Sequence, residues 1–187
     1  KIFLDQLVPM MKQDFYEMFS AMENLPVTVR LLDVPLHEFL PNIEDLREEI
    51  RELLESGASE IEISKKKSVL HKARELAEVN PMLGHRGVRV GISFPEIYEA
   101  QIKAICEAAA DLIKDGVNAK PKIMIPQVSL IQELLIISDL VKRIKNQVEK
   151  EREIKLDIKF GTMIEVVRSC IIANEIANIV EFFSFGT

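Results

Sequence analysis

Three charged residues and one closing dipeptide stand where parallel α/β proteins carry out chemistry, at the carboxyl ends of predicted strands. Arg30 comes late in an otherwise apolar run, Arg86 lies in a glycine-flanked turn, Glu165 closes another run, and Gly186-Thr187 end the last one. Arginine binds phosphate or carboxylate through two parallel N–H donors, and a carboxylate can hold Mg²⁺ opposite the same anion. These residues therefore predict a pocket for a small anion and a divalent cation.

The same residue types also have ordinary structural interpretations. A lone arginine on a strand is more often a salt-bridge partner, whereas a buried carboxylate such as Glu165 needs a partner or a metal. His37 and His85 are individually weak signals, and His71 lies on a charged helix that should be exposed. Cys170 is interpreted as a small residue packing on the sheet and not as a nucleophile. The pattern alone stops at a possible anion and Mg²⁺ site.

The elements that must position these side chains alternate between helix and strand. β-Branched and apolar runs predict strands at 27–32, 84–90, 122–126, 156–165 and 181–187. Apolar residues at helical spacing predict helices at 8–23, 43–56, 68–79, 95–116, 130–150 and 170–178, with a solvated turn at 65–67. Such alternation is typical of right-handed βαβ units and a parallel sheet. The expected architecture is a single α/β domain over residues 1–187.

The composition excludes several classes of protein. The 187 residues include 30 acidic and 24 basic side chains, a net charge of −6, which argues against binding to a nucleic-acid backbone. No apolar stretch approaches the roughly 18–20 residues of a membrane span. The glycine-rich phosphate-binding motifs G-x-x-x-x-G-K and G-x-G-x-x-G do not occur in the sequence. Two cysteines outside any metal-type spacing indicate a reducing, cytoplasmic compartment. Because a complete (β/α)₈ barrel takes about 250 residues and the first residue is not Met, we expect a fragment of a longer chain.

Five motifs follow one another along the chain. They are VTVRLLDVPLHEFLP at 27–41, NPMLGHRG at 80–87 followed by FPEI at 94–97, IMIP at 123–126, GTMIE at 161–165, and EFFSFGT at 181–187. In this order they resemble the phosphoenolpyruvate/pyruvate domain of the pyruvate phosphate dikinases, which belong to the PEP-utilising enzymes. Phosphoenolpyruvate synthase and enzyme I of the sugar phosphotransferase system share the barrel and stay as alternatives, although residues 36–39 are similar to the dikinase version.

The resemblance implies a partial (β/α)₈ TIM barrel, about strands two to six of eight, within a longer multidomain chain. The family interconverts ATP, pyruvate and phosphate with AMP, phosphoenolpyruvate and diphosphate. Its barrel binds phosphoenolpyruvate or pyruvate together with Mg²⁺. A phosphohistidine on a swivelling domain exchanges the phosphoryl group, and an ATP-binding domain belongs to the same chain. The resemblance also implies a cytoplasmic homodimer.

The matching motifs also imply roles for individual residues. Arg30 and Arg86 are expected to bind phosphoryl and carboxylate oxygens. Glu165 is expected to bind Mg²⁺ and to orient the enolate, while the backbone of Gly186 and Thr187 lines the other side of the substrate. No catalytic residue is expected within 1–187, because the phosphohistidine and the acid–base cysteine of the family lie outside it.

The sequence departs from the family pattern at two places. Val166-Val167-Arg168-Ser169 replaces an isoleucine-proline-arginine-alanine run, and Val34 replaces a proline. Two further alternatives stay open. In the first, the parent protein is a Mg²⁺-dependent enolate lyase or aldolase on a related barrel. In the second, the chain is a non-catalytic barrel fragment.

Overall fold

The structure, a computed structural model, describes residues 2–34, 40–76 and 84–186. The chain divides into two compact units, one formed by Lys1–Asp33 with Gly87–Thr187 and the other by Val34–Arg86. Asn80 and His37, which figured in the sequence predictions, lie outside the described residues. In chain order the elements are α1 (Ile2–Ala21), β1 (Pro26–Arg30), α2 (Ile43–Glu55), α3 (Glu60–Leu76), α4 (Val88–Ser93), α5 (Pro95–Lys114), β2 (Lys120–Ile125), α6 (Ile131–Arg152), β3 (Lys159–Ile164), α7 (Val167–Ile171), α8 (Ala173–Ile176) and β4 (Phe182–Phe185).

The first unit contains the four strands found among the described residues, paired in the order β1-β2-β3-β4, with every neighbouring pair parallel. The strands alternate with helices, so this unit is an α/β partial barrel, and the predicted fold class is confirmed. The core lies between sheet and helices, where Ile123 and Ile125 of β2 share one buried cluster with Ile105 of α5 and Leu134 of α6. Apolar burial of this kind supplies most of the stability of a parallel sheet.

A second row of side chains lies on the other face of the sheet. Arg30, Met124, Gly161 and Phe182 are register partners on the four strands and therefore share that face. A Cβ at Gly161 would lie 2.5 Å from the Phe182 ring, so only glycine lets this ring lie against the β3 backbone. The Lys122 ammonium lies 5.5 Å from the centre of the same ring.

The second unit contains the helical pair α2 and α3. The Asn42 side chain accepts a hydrogen bond of 2.8 Å from the Glu44 N–H and begins α2. Ser59 and Glu62 each accept from the other's backbone N–H, at 3.3 Å, and form a capping box that begins α3 at Glu60. The solvated turn predicted at 65–67 is therefore wrong, because the capping box begins the helix before these lysines.

The strand predicted at 84–90 is also wrong. Val88–Ser93 form the helix α4, and the described residues hold four strands where five were expected. The Val88 N–H donates to the Pro126 carbonyl at 3.2 Å, and Val88 and Val90 are buried. Packing of α4 against α5 and α6 thus outweighs the preference of valine for strands. The helix predicted at 170–178 is divided into α7 and α8.

Within the part of the chain that the structure describes, no helix has both the length and the apolar character needed to cross a membrane.

Candidate functional site

The carboxyl ends of parallel strands meet at one edge of a sheet, and three of the predicted site residues lie there. Arg30 is the last residue of β1, Glu165 directly follows β3, and Gly186 directly follows β4. The Gly186 N–H donates to the Ile164 carbonyl at 3.4 Å, which continues the β3–β4 pairing by one residue. Thr187 lies outside the described residues. The structure places these three residues at one edge, and their roles stay predictions.

Glu165 has a hydrogen-bond partner that the sequence did not suggest. Its Oε1 accepts a hydrogen bond of 2.7 Å from the backbone N–H of Gln127, which comes two residues after the end of β2. An N–H bond of this length holds a carboxylate in one orientation and still leaves lone pairs on both oxygens. Glu165 is partly buried, so its carboxylate is both fixed and accessible at the edge.

Gln127 adopts a backbone conformation that is unusual for its residue type. Its φ is +61°, in the left-handed region, which costs a residue with a Cβ roughly 1–2 kcal/mol. The side chain is only 3% exposed, and its Oε1 has no hydrogen-bond partner among the residues that the structure describes. Sequence reasoning missed Gln127, although it directly follows the strand predicted at 122–126 and so satisfies the rule that selected Glu165.

Arg30 forms an ion pair with a second residue that sequence reasoning missed. Its Nη1 lies 3.8 Å from Oδ2 of Asp33, whose side chain is 2% exposed against 51% for that of Arg30. An ion pair of this length with one exposed partner contributes little to stability. The salt-bridge interpretation of Arg30 is thus correct, and half of the arginine side chain still faces solvent.

The loop after Arg30 is held by α5. The Leu32 N–H donates to Oε1 of Gln101 at 2.9 Å, and the Tyr98 hydroxyl donates to the Leu32 carbonyl at 3.1 Å. Burial, reinforced by the Asp33 carboxylate, raises the pKa of Tyr98 far above its ordinary value, so the hydroxyl remains protonated and remains a donor. Both backbone polar groups of Leu32, its N–H and its carbonyl, thereby have hydrogen-bond partners.

Gly87 lies against Gln127 and Asp33. It has a φ of +57°, and a Cβ there would lie 2.9 Å from the Gln127 Cβ and 3.0 Å from Oδ1 of Asp33. A larger residue is therefore excluded on both conformational and steric grounds. Arg86 precedes Gly87 and is the last residue of the second unit, where its N–H donates to the Gly84 carbonyl at 3.1 Å.

The cysteines and the described histidines add no further site. Cys106 is buried, whereas Cys170 is exposed on the short helix α7, so its predicted packing on the sheet is wrong. His71 is exposed on α3, as expected, with its Nε2 3.6 Å from Oε1 of Glu75. Among the described residues, no group of three or more histidine, cysteine and carboxylate side chains could enclose a metal ion.

The chain matches a known protein family along almost its whole length. The family model described as "PEP-utilising enzyme, PEP-binding domain" matches residues 4–187. The chain is 48% identical over 188 residues to "Pyruvate, phosphate dikinase" of Entamoeba histolytica, and this covers 100% of the chain and 21% of the relative.

Further similar proteins carry the same name. "Pyruvate, phosphate dikinase 1, chloroplastic" of Arabidopsis thaliana is 48% identical over 188 residues, which is 100% of the chain and 19% of the relative. "Pyruvate, phosphate dikinase" of Giardia intestinalis is 44% identical over 185 residues, which is 98% of the chain and 20% of the relative. The chain thus spans about a fifth of the length of these relatives.

Proposed function

Because this chain belongs to the PEP-utilising enzymes, as a PEP-binding domain, we propose that it binds phosphoenolpyruvate and pyruvate within a pyruvate, phosphate dikinase. The observation that carries the proposal is the match of the whole chain to dikinases at 44–48% identity. In the parent enzyme, ATP, pyruvate and phosphate are interconverted with AMP, phosphoenolpyruvate and diphosphate. Residues 1–187 then form one part of a barrel domain in a longer chain.

The two arginines bind the anionic groups of the substrate. The exposed half of the Arg30 side chain at the end of β1 is available to phosphoryl or carboxylate oxygens. Arg86 binds the same substrate by analogy with the family motif. The backbone of Gly186 and Thr187 contacts the other side of the substrate, and binding by several fixed donors suits a small anion in a chain of net negative charge.

Glu165 is the residue that would hold Mg²⁺. Its carboxylate is a hard oxygen donor, and Mg²⁺ needs only one or two carboxylates because it keeps several waters. Gln127, whose backbone N–H donates to Glu165, carries a second hard oxygen, the buried side-chain Oε1, which has no hydrogen-bond partner among the described residues. The described residues therefore suit part of a Mg²⁺ shell.

In the proposed reaction, negative charge develops on the enolate oxygen and on the transferred phosphoryl group, next to Arg30 and Glu165. When phosphoenolpyruvate loses its phosphoryl group, the remaining pyruvate carries an enolate oxygen. Mg²⁺, when bound, neutralises charge on that oxygen. The guanidinium of Arg30 stabilises the moving phosphoryl group, and the Gln127 N–H keeps the Glu165 carboxylate oriented throughout.

The remaining partners belong to the parent protein. We propose, from the resemblance, that a phosphohistidine domain and an ATP-binding domain of the same chain exchange the phosphoryl group with this domain. The proposed parent is a cytoplasmic homodimer, which sedimentation of the full-length protein and its localisation in cells would test.

Kinetics of the full-length protein test the function. Pyruvate formation from phosphoenolpyruvate should require both AMP and diphosphate, and Arg30→Ala should lower kcat/KM by roughly 10²–10³-fold, as expected for loss of one charged donor. Arg47→Ala is the matched control, because Arg47 is exposed on α2 and pairs only with Glu44 among the described residues. Pyruvate formation beyond one equivalent per enzyme without diphosphate, carbon–carbon cleavage, or no turnover at all would contradict the proposal.

A further inference from the structure

Gln127 combines two features that a purely structural residue at this position would not need. It keeps a strained left-handed backbone although it is not glycine, and it buries an amide oxygen that has no partner among the described residues. A buried carbonyl oxygen without a hydrogen bond destabilises the folded state, because it has lost its bonds to water. Together these costs identify Gln127 as a residue whose hydrogen bonding is incomplete within the part of the chain that the structure describes.

The backbone of Gln127 combines this φ of +61° with a specific contact. Its N–H donates to Glu165 Oε1 at 2.7 Å. Backbone strain of this kind is typical of sites where one group must be held in a fixed orientation. The backbone of Gln127 therefore fixes the carboxylate that is the proposed cation ligand.

The side chain is confined to the same edge of the sheet. Its Cβ and Cγ lie 2.9 and 3.0 Å from the point where a Cβ of Gly87 would be, and Oδ1 of Asp33 lies 3.0 Å from that point. With 3% of its surface exposed, the side chain has little freedom to reach bulk water. The Gln127 side chain therefore packs beside Gly87, as the Asp33 carboxylate does, while the Gln127 N–H donates to Glu165.

We propose that Gln127 is a positioning residue for the divalent cation: its N–H orients Glu165, and its Oε1 joins the hydrated shell of the cation that Glu165 binds. Amide oxygens are hard donors that accept from cation-bound water or bind the ion directly. A cation shell provides the donors that Oε1 lacks, whereas phosphoenolpyruvate carries none of its own at neutral pH. This inference rests on the proposed function, since it requires the cation at Glu165.

Binding of Mn²⁺ alone to the full-length protein, followed by electron paramagnetic resonance and by calorimetry, tests the inference without any turnover. Gln127→Met keeps the length and the apolar stem but removes the oxygen. It should weaken Mn²⁺ binding by roughly 10–100-fold, the usual effect of losing a supporting group around a metal. In the presence of EDTA, the thermal midpoint should be unchanged or higher, because an unpartnered buried oxygen is removed.

Two further variants keep the test decisive. Gln127→Glu retains an oxygen at the same reach and should bind Mn²⁺ at least as tightly as the unmodified protein. Gln147→Leu, at an exposed position of α6, should change nothing. If Gln127→Met leaves Mn²⁺ affinity unchanged while Glu165→Gln lowers it, the proposed role of Gln127 is overturned and the cation assignment of Glu165 is retained. Unchanged affinity in Glu165→Gln as well would overturn the cation assignment of the proposed function.

Discussion

The Tyr98 hydroxyl supports the arginine-bearing edge through one hydrogen bond, and its removal should be measurable. In Tyr98→Phe the Leu32 carbonyl loses its donor at 3.1 Å, so we expect a loss of about 1–3 kcal/mol in the free energy of unfolding. Because Leu32 lies two residues after Arg30, phosphoenolpyruvate binding should weaken as well. Denaturant unfolding and calorimetry of the full-length protein measure the two effects.

The chain offers a matched control for this substitution. The Tyr16 hydroxyl also donates a hydrogen bond, at 2.8 Å to Oδ2 of Asp115, but this bond is exposed to solvent. Tyr16→Phe should therefore change stability by less than about 0.5 kcal/mol and leave substrate binding intact. Equal effects of the two substitutions would show that the Leu32 contact has no special role.

The two cysteines should differ strongly in reactivity. Burial raises the pKa of the Cys106 thiol to about 12, whereas Cys170 is exposed on α7. At pH 8 an alkylating reagent should therefore label Cys170 and leave Cys106 unmodified in the native full-length protein, with both labelled after denaturation. Mass spectrometry of the peptides gives the result, and rapid native labelling of Cys106 would contradict the burial.

The same shift has a consequence for stability at alkaline pH. The folded thiol holds its proton more tightly than the unfolded one, which loses its proton near its ordinary pKa of about 8.5. The contribution of Cys106 is therefore complete below that pH and decreases as the pH rises toward 12, by at most about 1.4 kcal/mol per pH unit. Cys106→Ala should make the alkaline decline in unfolding free energy shallower.

Sequence reasoning found the charged residues of the edge but not the groups that hold them. Arg30 and Glu165 carry a visible signal, because a charge at the end of an apolar run is unusual. The hydrogen bond to Glu165 comes from the backbone N–H of Gln127, which has a left-handed φ, and a residue type with a Cβ does not predict such a conformation. Asp33 likewise becomes significant only when folding buries its side chain. The hydrogen-bond and ion-pair partners of Glu165 and Arg30 could therefore not be predicted from residue types and spacing.

At the scale of elements, the alternation of strand and helix was predictable and one strand was not. β2 and β3 are apolar runs between clear helices, so local pattern and tertiary burial agree. In α4 they disagree, since Val88 and Val90 favour a strand while Gly91 admits the Tyr98 ring, 2.4 Å from where a Cβ would be. Close packing on α5 determines the outcome, and a single sequence gives little sign of it.

The helix α7 lacks the proline that the family resemblance leads one to expect. Val167 is the first residue of α7, where proline is favoured because its missing N–H has no partner in the helix. Val166 has φ −100° and ψ 137°, a conformation compatible with a following proline. Val167 is 78% exposed, so its replacement removes little packing. Val167→Pro should therefore raise the free energy of unfolding by about 0.4–1 kcal/mol.

Denaturant unfolding of the full-length protein measures this change. Val167→Thr is the control, because it makes the same exposed side chain polar while its backbone stays free to rotate. It should leave stability within about 0.5 kcal/mol of the unmodified protein. A proline variant that is less stable than the threonine variant would show that the turn into α7 requires the Val167 N–H.

At the scale of the whole molecule, the sheet has unpaired edges among the described residues. β4 pairs with β3 on one side only, and Phe185 on this strand is 77% exposed. An unpaired strand with exposed apolar side chains is a template for pairing with another chain. The 187-residue chain, expressed alone, should therefore associate in a concentration-dependent way, which light scattering coupled to size-exclusion chromatography would detect.

A lysine substitution on β4 distinguishes association by strand pairing at the sheet edge from association through exposed apolar surface in general. Phe185→Lys should reduce association, since a lysine on an edge strand opposes addition of a further strand. Ile171→Lys removes a side chain that is equally exposed, at 76%, but lies on α7 and not on a strand, so it should leave edge pairing intact. Equal effects of both substitutions would assign association to exposed apolar surface in general, and a monomer at every concentration would show that β4 is protected. Within the parent, we expect further strands of the barrel to occupy this edge, so that Phe185→Lys in the full-length protein should instead lower its stability.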